Sequence, residues 1–201
     1  LKATIDAGAS VTPILTSIEN VEVRSTKTAG ELNLSASTGV TAIKVANSTS
    51  DMTLTSIGAA SVEVANQNQN VNIKGSTATA LNLTFDTVGT TVGTTITPIT
   101  VNLAAGTANA ATSLAITANN AQVTMSETTA SAATTSATIA ATGKNQLTFA
   151  ATDAASLTSV SVTGAGSVDL SVTNPLSAVT TLTATDGGLK ATVTNTTATA
   201  A

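Results

Sequence analysis

The stretch that decides the fold is Leu15–Val23, which reads LTSIENVEV and returns at Leu54–Val64 as LTSIGAASVEV. Both copies end in Val-Glu-Val, where two apolar residues flank a charged one. This alternation is typical of a β-strand with one buried face and one solvated face. A shortened third copy lies at Leu157–Val162. The first two copies begin roughly 40 residues apart, and recurrence on this scale indicates a stacked repeat architecture.

Pairs of apolar residues separated by one polar residue recur along the whole chain. Successive pairs begin roughly 10 residues apart, and short strands at this spacing are compatible with a sandwich, a barrel or a solenoid. We favour a solenoid because the phrases recur in order, the turns resemble one another, and Asp186-Gly187 is the one hairpin-type turn pair. The first seven pairs are Val21/Val23, Leu32/Leu34, Ile43/Val45, Met52/Leu54, Val62/Val64, Val71/Ile73 and Leu81/Leu83.

One irregular stretch, Val88–Ile96, interrupts the rhythm with two glycines and many threonines. It is interpreted as a longer loop or a bulged rung. Directly after it, Ile96–Ile99 repeats the pattern of Val11–Ile14, which suggests an internal duplication or a second solenoid start. We therefore expect residues 1–201 to form a single elongated solenoid, divisible into sub-segments of about 1–88 and 96–201 joined by this Gly/Thr-rich loop.

Three other features complete the organisation. Leu1–Ile14 is expected to be a leading segment with a turn at Gly8. Ser126–Thr138 has no bulky apolar residue, so it is either an exposed Thr-rich loop or a narrow rung packed with alanine. Very little helix is expected, because β-branched residues dominate and exposed helix formers are scarce.

The composition limits the kind of core and the class of function. Phe85 and Phe149 are the only aromatic residues, so small aliphatic side chains must fill the interior between closely spaced sheets. There is no cysteine, and no apolar run is long enough for a transmembrane helix. Since the chain starts at Leu1 with no visible signal peptide, we expect a processed product or an excised segment. The net charge of −4, with seven scattered basic residues, argues against a nucleic-acid partner.

Catalytic and metal-binding patterns are almost absent. Without His, Cys or Tyr, the usual general bases and nucleophile partners are missing. Among the acids, Glu19 and Glu22 lie near each other, and Glu22 and Glu63 occupy equivalent positions in the two copies, where they are expected to face solvent. Asp186-Gly187-Gly188 is interpreted as a turn and not as a calcium site, because calcium needs six or more oxygen ligands. We predict no catalytic, cofactor-binding or metal-binding residues and no enzymatic activity.

The run Asn66–Asn70 reads Asn-Gln-Asn-Gln-Asn. Stacked amides can form hydrogen-bond ladders in repetitive β-structure. The alternative, a polar turn between Val64 and Val71, is the interpretation that we favour.

Two phrases, Leu15–Val23 and Leu32–Val45, resemble bacterial surface-layer proteins and large RTX-type secreted proteins. In that group, Cys-free segments rich in Thr, Ser, Ala and Val lie beside calcium-binding repeats and build β-solenoids. The resemblance implies a structural role outside the cell, in a lattice, a fibre or an adhesin body. It makes calcium conceivable as a cofactor, but this chain lacks the calcium-binding nonapeptides of the group.

The sequence thus predicts an all-β, parallel, right-handed β-solenoid of about ten coils with ~20 residues each, forming a rod of roughly 45–50 Å. The expected function is that of a non-enzymatic structural protein of the bacterial cell surface, which associates with itself into a surface-layer lattice or an extracellular filament. An adhesin or carbohydrate-binding stalk, with aromatic platforms and a cell-surface polysaccharide as partner, is the alternative. A polysaccharide-cleaving β-helix enzyme would need a cluster of acids or bases on one face. No membrane insertion is expected.

Overall fold

The structure, a computed structural model, is a parallel β-solenoid in which ten strands stack in one sheet and nine in the other, close to the ten coils that the sequence predicts. It describes residues 1–6, 8–103, 109–127, 134–171, 175–194 and 199–200. The single helix in this part of the chain is the four-residue turn Ala151–Ala154 (α1). The predicted fold class, all-β with very little helix, is confirmed.

Twenty strands follow one another along the described residues. They are Lys2–Ile5 (β1), Ser10–Val11 (β2), Asn20–Ser25 (β3), Gly30–Asn33 (β4), Ala42–Ala46 (β5), Met52–Gly58 (β6), Ser61–Gln67 (β7), Val71–Ser76 (β8), Ala80–Val88 (β9), Thr90–Val92 (β10), Thr95–Thr97 (β11), Ile99–Leu103 (β12), Ser113–Glu127 (β13), Ser136–Thr142 (β14), Lys144–Phe149 (β15), Ser159–Thr163 (β16), Ser167–Asp169 (β17), Thr181–Ala184 (β18), Gly188–Lys190 (β19) and Thr199–Ala200 (β20).

The strands stack into two parallel sheets, and each coil of the solenoid contributes one strand to each sheet. Sheet A runs in the order β1, β3, β5, β7, β9, β13, β14, β16, β18, β20. Sheet B runs in the order β2, β4, β6, β8, β12, β13, β15, β17, β19. The long strand β13 turns the corner between them. At a strand spacing of ~4.8 Å, the ten stacked strands of sheet A span roughly 43 Å.

The apolar pairs of the sequence alternate between the two sheets and fill the space between them. In sheet A, Val21 lies next to Ile43, and Ile43 next to Val62. In sheet B, Leu32 lies next to Leu54, which lies next to Ile73. All six side chains are buried. Each column of the core is therefore continuous from coil to coil, which confirms the stacking that the repeats predict.

The corner that follows sheet A needs a left-handed backbone on successive coils. Asn47, Asn66 and Asn120 have φ values of 54°, 48° and 49°, and Gly143 has a φ of 66°. Asparagine and glycine tolerate this region better than other residues. The register places Asn47 beside Asn66, and Asn120 beside Gly143. The recurring corner accounts for the asparagine on three of these coils.

Buried polar side chains link one coil to the next at the same corner. Asn145 Oδ1 accepts a hydrogen bond from the Ala121 N–H at 3.0 Å, and its Nδ2 donates to the Thr142 and Ser167 carbonyls at 2.9 and 3.1 Å. Gln67, within the Asn/Gln run, accepts a hydrogen bond from the Ser48 N–H. The favoured interpretation of this run as a turn holds for residues 68–70, whereas Asn66 and Gln67 extend strand β7.

The irregular stretch after β9 forms an antiparallel hairpin of β10 and β11. The side chain of Val92 on this hairpin is 75% exposed. The parallel pairing of strands in both sheets continues past the hairpin, because β8 pairs with β12 and β9 pairs with β13. Ile99 is buried whereas Ile14 is 80% exposed, so the two similar phrases do not have equivalent environments.

The remaining segments take defined places. Residues 1–14 form more than a leading segment, since β1 and β2 make the first coil and pair with β3 and β4. In the low-complexity stretch, residues 128–133 lie outside the described residues. Its last residues, 136–138, enter β14, where Ala137 is buried.

Candidate interaction surface on sheet A

The outer face of sheet A carries a column of four charged side chains on the first four coils. Lys2 pairs in register with Glu22, Glu22 with Lys44, and Lys44 with Glu63. We call these four residues the charged ladder. Each lies between two apolar neighbours of its strand, so the alternation of the strand directs it outward. The next residue of the column is the uncharged Thr84.

The ladder forms two ion pairs. Lys2 Nζ lies 2.9 Å from Glu22 Oε2, and Lys44 Nζ lies 2.6 Å from Glu63 Oε1. The hydrogen bond from Lys2 lowers the pKa of Glu22, and the hydrogen bond to Glu63 raises the pKa of Lys44. Both shifts favour the charged forms. Glu22 and Lys44 are therefore held in their charged forms, and the ladder contains as many lysines as glutamates.

Shallow troughs lie beside the ladder and farther along the same face. A trough of about 360 Å³ is bounded by the ladder on one side and by Ala42 and Ser61 on the other. A second trough, of about 410 Å³, is lined from Asn82 to Thr163 by uncharged side chains, chiefly Thr, Ala and Ile. The outer face of sheet A thus carries the charged ladder over the first four coils and an uncharged trough farther along.

Other charged groups form isolated pairs away from this column. Asp6 Oδ2 lies 2.8 Å from Lys27 Nζ, and Asp169 Oδ2 lies 2.9 Å from Lys190 Nζ. The hydrogen bond from Lys27 lowers the pKa of Asp6. Because each acid is paired with one base, neither pair provides a cluster of carboxylate oxygens that could bind a metal ion.

The sequence predicts an outward position for Glu22 and Glu63, two coils apart, and the structure confirms it. Glu19 lies exposed before β3 and does not join the ladder. Asp186 lies in a bend between β18 and β19, with a φ of 65°. Within the described ranges, no group of three or more His, Cys, Asp or Glu residues could hold a metal ion.

Both aromatic side chains are in the core. Phe85 is fully buried in sheet A, in line with Val64, and Phe149 is buried at the end of β15. Neither ring can stack against a sugar at the surface. The aromatic platform that a carbohydrate-binding groove would need is therefore not provided by these two residues.

The sequence interpretation missed Lys44 as a ladder member. Its signal was present, because Lys44 lies between Ile43 and Val45 in the same way as Glu22 lies between Val21 and Val23. The alternation of sign becomes visible only when the coil length is known. Strand β4 separates Glu22 from Lys44 along the chain, and β6 separates Lys44 from Glu63, so only the stacking of coils makes them neighbours.

No protein-family model, curated protein or solved structure matches this chain. Among the described residues, no helix has the length and apolar character required to span a membrane.

Proposed function

We propose that this protein is a non-enzymatic structural protein of the bacterial cell surface, which associates with itself through its rod into a surface-layer lattice or an extracellular filament. The resemblance of its repeats to surface-layer proteins supports the location. The two-sheet solenoid supports the structural role, because such a rod presents long regular faces and two ends at which strands can be added.

The observation that carries this proposal is the apolar surface of the first coil. Leu1 is 56% exposed and Val11 is 42% exposed, although both continue columns of the core. Leu1 precedes Lys2, which places it over Val21, and Val11 pairs with Leu32. Val21 and Leu32 are both buried, because the coil before each of them covers it. Any coil stacked on β1 and β2, whichever chain supplies it, would cover Leu1 and Val11 in the same way.

A second copy can supply that coil. The outer edges of β1 and β2 offer backbone N–H and C=O groups for parallel pairing. A last coil of another copy, placed there, would continue both sheets and both core columns. This contact joins different ends of the two copies, so it repeats without closing and makes a filament.

An adhesin or a carbohydrate-binding stalk is the alternative. It would use the neutral trough of sheet A, whose Asn, Ser and Thr side chains can hydrogen-bond to sugar hydroxyls. The burial of Phe85 and Phe149 removes the aromatic stacking on which such sites commonly depend, and we therefore prefer the structural role.

Negative-stain electron microscopy of the purified chain tests the proposal. We expect filaments or sheets for the natural sequence, and short particles for Val11→Lys, which places a charge on the apolar end. Because Val11 is already exposed, this substitution leaves the fold intact. Val92→Lys is the matched control, since Val92 is the same residue type and is more exposed, at 75% against 42%, but lies on the hairpin.

Monodisperse single rods of the natural sequence at all concentrations would overturn self-assembly. If the Val11→Lys variant assembled as well as the natural sequence, the first coil would not be part of the contact between copies. Antibody labelling of intact source cells tests the location, and labelling that appears only after lysis contradicts it.

A further inference from the structure

The charged ladder alternates in sign along the solenoid axis. Lys2, Glu22, Lys44 and Glu63 lie on four consecutive coils. Their side chains are 81%, 35%, 38% and 37% exposed, so each can reach a neighbouring molecule. At ~4.8 Å per coil, the ladder is roughly 14 Å long. The order is positive, negative, positive, negative.

Two copies can place these faces together around a two-fold axis in two ways. If the axis runs parallel to the strands, the solenoids point in opposite directions, and the first coil faces the fourth while the second faces the third. If the axis runs parallel to the solenoid, the two copies point the same way, and each coil faces its own equivalent. In both cases the same surface of the two copies is in contact.

The charges distinguish these two arrangements. In the antiparallel one, Lys2 faces Glu63 of the second copy and Glu22 faces Lys44 of the second copy, so all four contacts join opposite charges. In the parallel one, every charge lies level with its own equivalent. Like charges held opposite each other disfavour that arrangement.

We propose that the charged ladder is a contact surface for a second copy of this chain, packed antiparallel with the two-fold axis between the coils of Glu22 and Lys44. The inference rests on the proposed self-assembly and adds a lateral contact to the end-to-end one. It joins two rods side by side over their first four coils, with the later coils of sheet A extending in opposite directions.

The neighbouring residues on the face permit this approach. The column on one side of the ladder consists of Asn20, Ala42 and Ser61, which are shorter than the ladder side chains. On the other side, Arg24 donates a hydrogen bond from Nε to Thr4 Oγ1 at 3.0 Å, so it lies along its own sheet. No side chain of these two columns holds the ladders apart.

The contact is expected to be weak and sensitive to salt. Four coils give a small surface, below the area of stable interfaces. Each ladder group also has a partner within its own chain, so the second copy adds to existing pairs instead of neutralising free charges. Surface charges of this kind are screened within about 10 Å at 0.1 M salt.

A charge swap tests the arrangement. The double variant Lys44→Glu/Glu63→Lys keeps opposite charges in both ion pairs within the chain but changes the order to positive, negative, negative, positive. In the antiparallel packing all four contacts then join like charges. We expect the dimer measured by sedimentation equilibrium at low salt to weaken by at least about tenfold. Both proteins carry Val11→Lys, so that end-to-end association does not contribute.

A second swap restores the contact. Adding Lys2→Glu/Glu22→Lys to the double variant gives negative, positive, negative, positive, which is again complementary in the antiparallel packing. We expect dimerisation to return to within about threefold of the original value. The melting temperature of each variant shows whether the solenoid is intact, and restored dimerisation itself shows that the double variant did not act through misfolding.

Disulfide formation reports the orientation directly, because the natural chain has no cysteine. In the proposed packing, Asn20 of one copy faces Ala42 of the other. A mixture of Asn20→Cys and Ala42→Cys chains should therefore form mixed disulfide dimers, and either chain alone should form far fewer.

Three results would overturn the inference. They are equal dimerisation of the natural ladder and the double swap, a lack of any dimer at low salt, and mixed disulfides no more frequent than those of the single chains. If filaments still form in these cases, the end-to-end proposal stands and the lateral contact alone is wrong.

Discussion

Val62 and Glu63 are adjacent in the chain and lie on opposite sides of sheet A. The Val62 side chain is 1% exposed in the core, whereas the Glu63 carboxylate reaches outward to Lys44. The same division holds two coils earlier, where Val21 is buried and Glu22 pairs with Lys2. The repeated Val-Glu-Val phrase therefore encodes both the core and the charged ladder.

The first prediction separates these two roles. Val62→Asp should lower the free energy of unfolding by about 4 kcal/mol or more, because it buries a carboxylate without a partner. Glu63→Thr should cost about 1 kcal/mol or less, because it removes a half-exposed ion pair and adds a residue favoured in strands. Urea denaturation measures both, and Val21→Asp and Glu22→Thr repeat the comparison. Equal damage from the two substitutions would contradict the strand register.

The second prediction concerns the buried corner amide. Asn145→Ala removes three hydrogen bonds, to the Ala121 N–H and to the Thr142 and Ser167 carbonyls. Because groups left buried without partners are costly, we expect a loss of about 2–4 kcal/mol in unfolding free energy. Asn119→Ala is the control. Its side chain bonds to Asp86 on the surface, and its loss should cost about 1 kcal/mol or less. Similar values for the two variants would contradict the structural role of Asn145.

The third prediction is a loss of stability in acid. A hydrogen bond from the Thr55 hydroxyl, 2.5 Å from Glu31 Oε1, lowers the pKa of Glu31, and the ion pair with Lys2 lowers that of Glu22. Burial acts to raise the pKa of Asp169, but the hydrogen bonds from Ser171 and Lys190 together outweigh this effect, so the pKa is lowered overall. A carboxyl with a lowered folded-state pKa stabilises the fold above its unfolded pKa, and this contribution is lost as the pH falls through the folded value.

The melting temperature should therefore stay nearly constant from pH 7 to about pH 5 and fall below about pH 4. Glu31→Gln should show a smaller decrease, since one of these carboxyls has been removed. On the alkaline side, the raised pKa of Lys44 contributes stability that is present below about pH 10.4 and lost above it. A melting temperature that rises on acidification would contradict these assignments.

The fourth prediction concerns calcium. Among the described residues, no three carboxylates lie close enough together to hold a metal ion, whereas calcium requires several oxygens at one point. We expect a chelator to change the melting temperature by less than about 2 °C. A large decrease that added calcium reverses would reveal a site outside these residues.

Much of this fold can be predicted from the sequence because patterns of residues close together in the chain determine it. The Val-Glu-Val alternation fixes which side chains are buried, and the even spacing of such phrases fixes the stacking. The charged ladder is harder to predict from the sequence. Lys44 and Glu22 become neighbours of opposite charge only when the coil length is known. Two of the partners of Asn145, the Ala121 N–H and the Ser167 carbonyl, are on other coils, so its burial and these two hydrogen bonds do not follow from neighbouring residues.

The hairpin of β10 and β11 shows a second limit. Its glycines and threonines predict an interruption, but the pairing of β9 with β13 across it depends on contacts between distant parts of the chain, such as Leu81 with Leu114. The exposed Val92 and the buried Ile99 belong to similar Thr-rich surroundings in sequence. Only the stacking of coils decides which of the two is covered.

The stacking order also determines how the rod would carry a mechanical load. Hydrogen bonds between coils lie along the long axis, so a pull on the two ends acts on the junctions in series and the weakest junction breaks first. In sheet A, eight residue pairs join β9 to β13, but only four join β1 to β3 and four join β16 to β18. Under tension, junctions with four pairs in sheet A would open before the junction with eight, so the rod would lengthen in small steps before it tore.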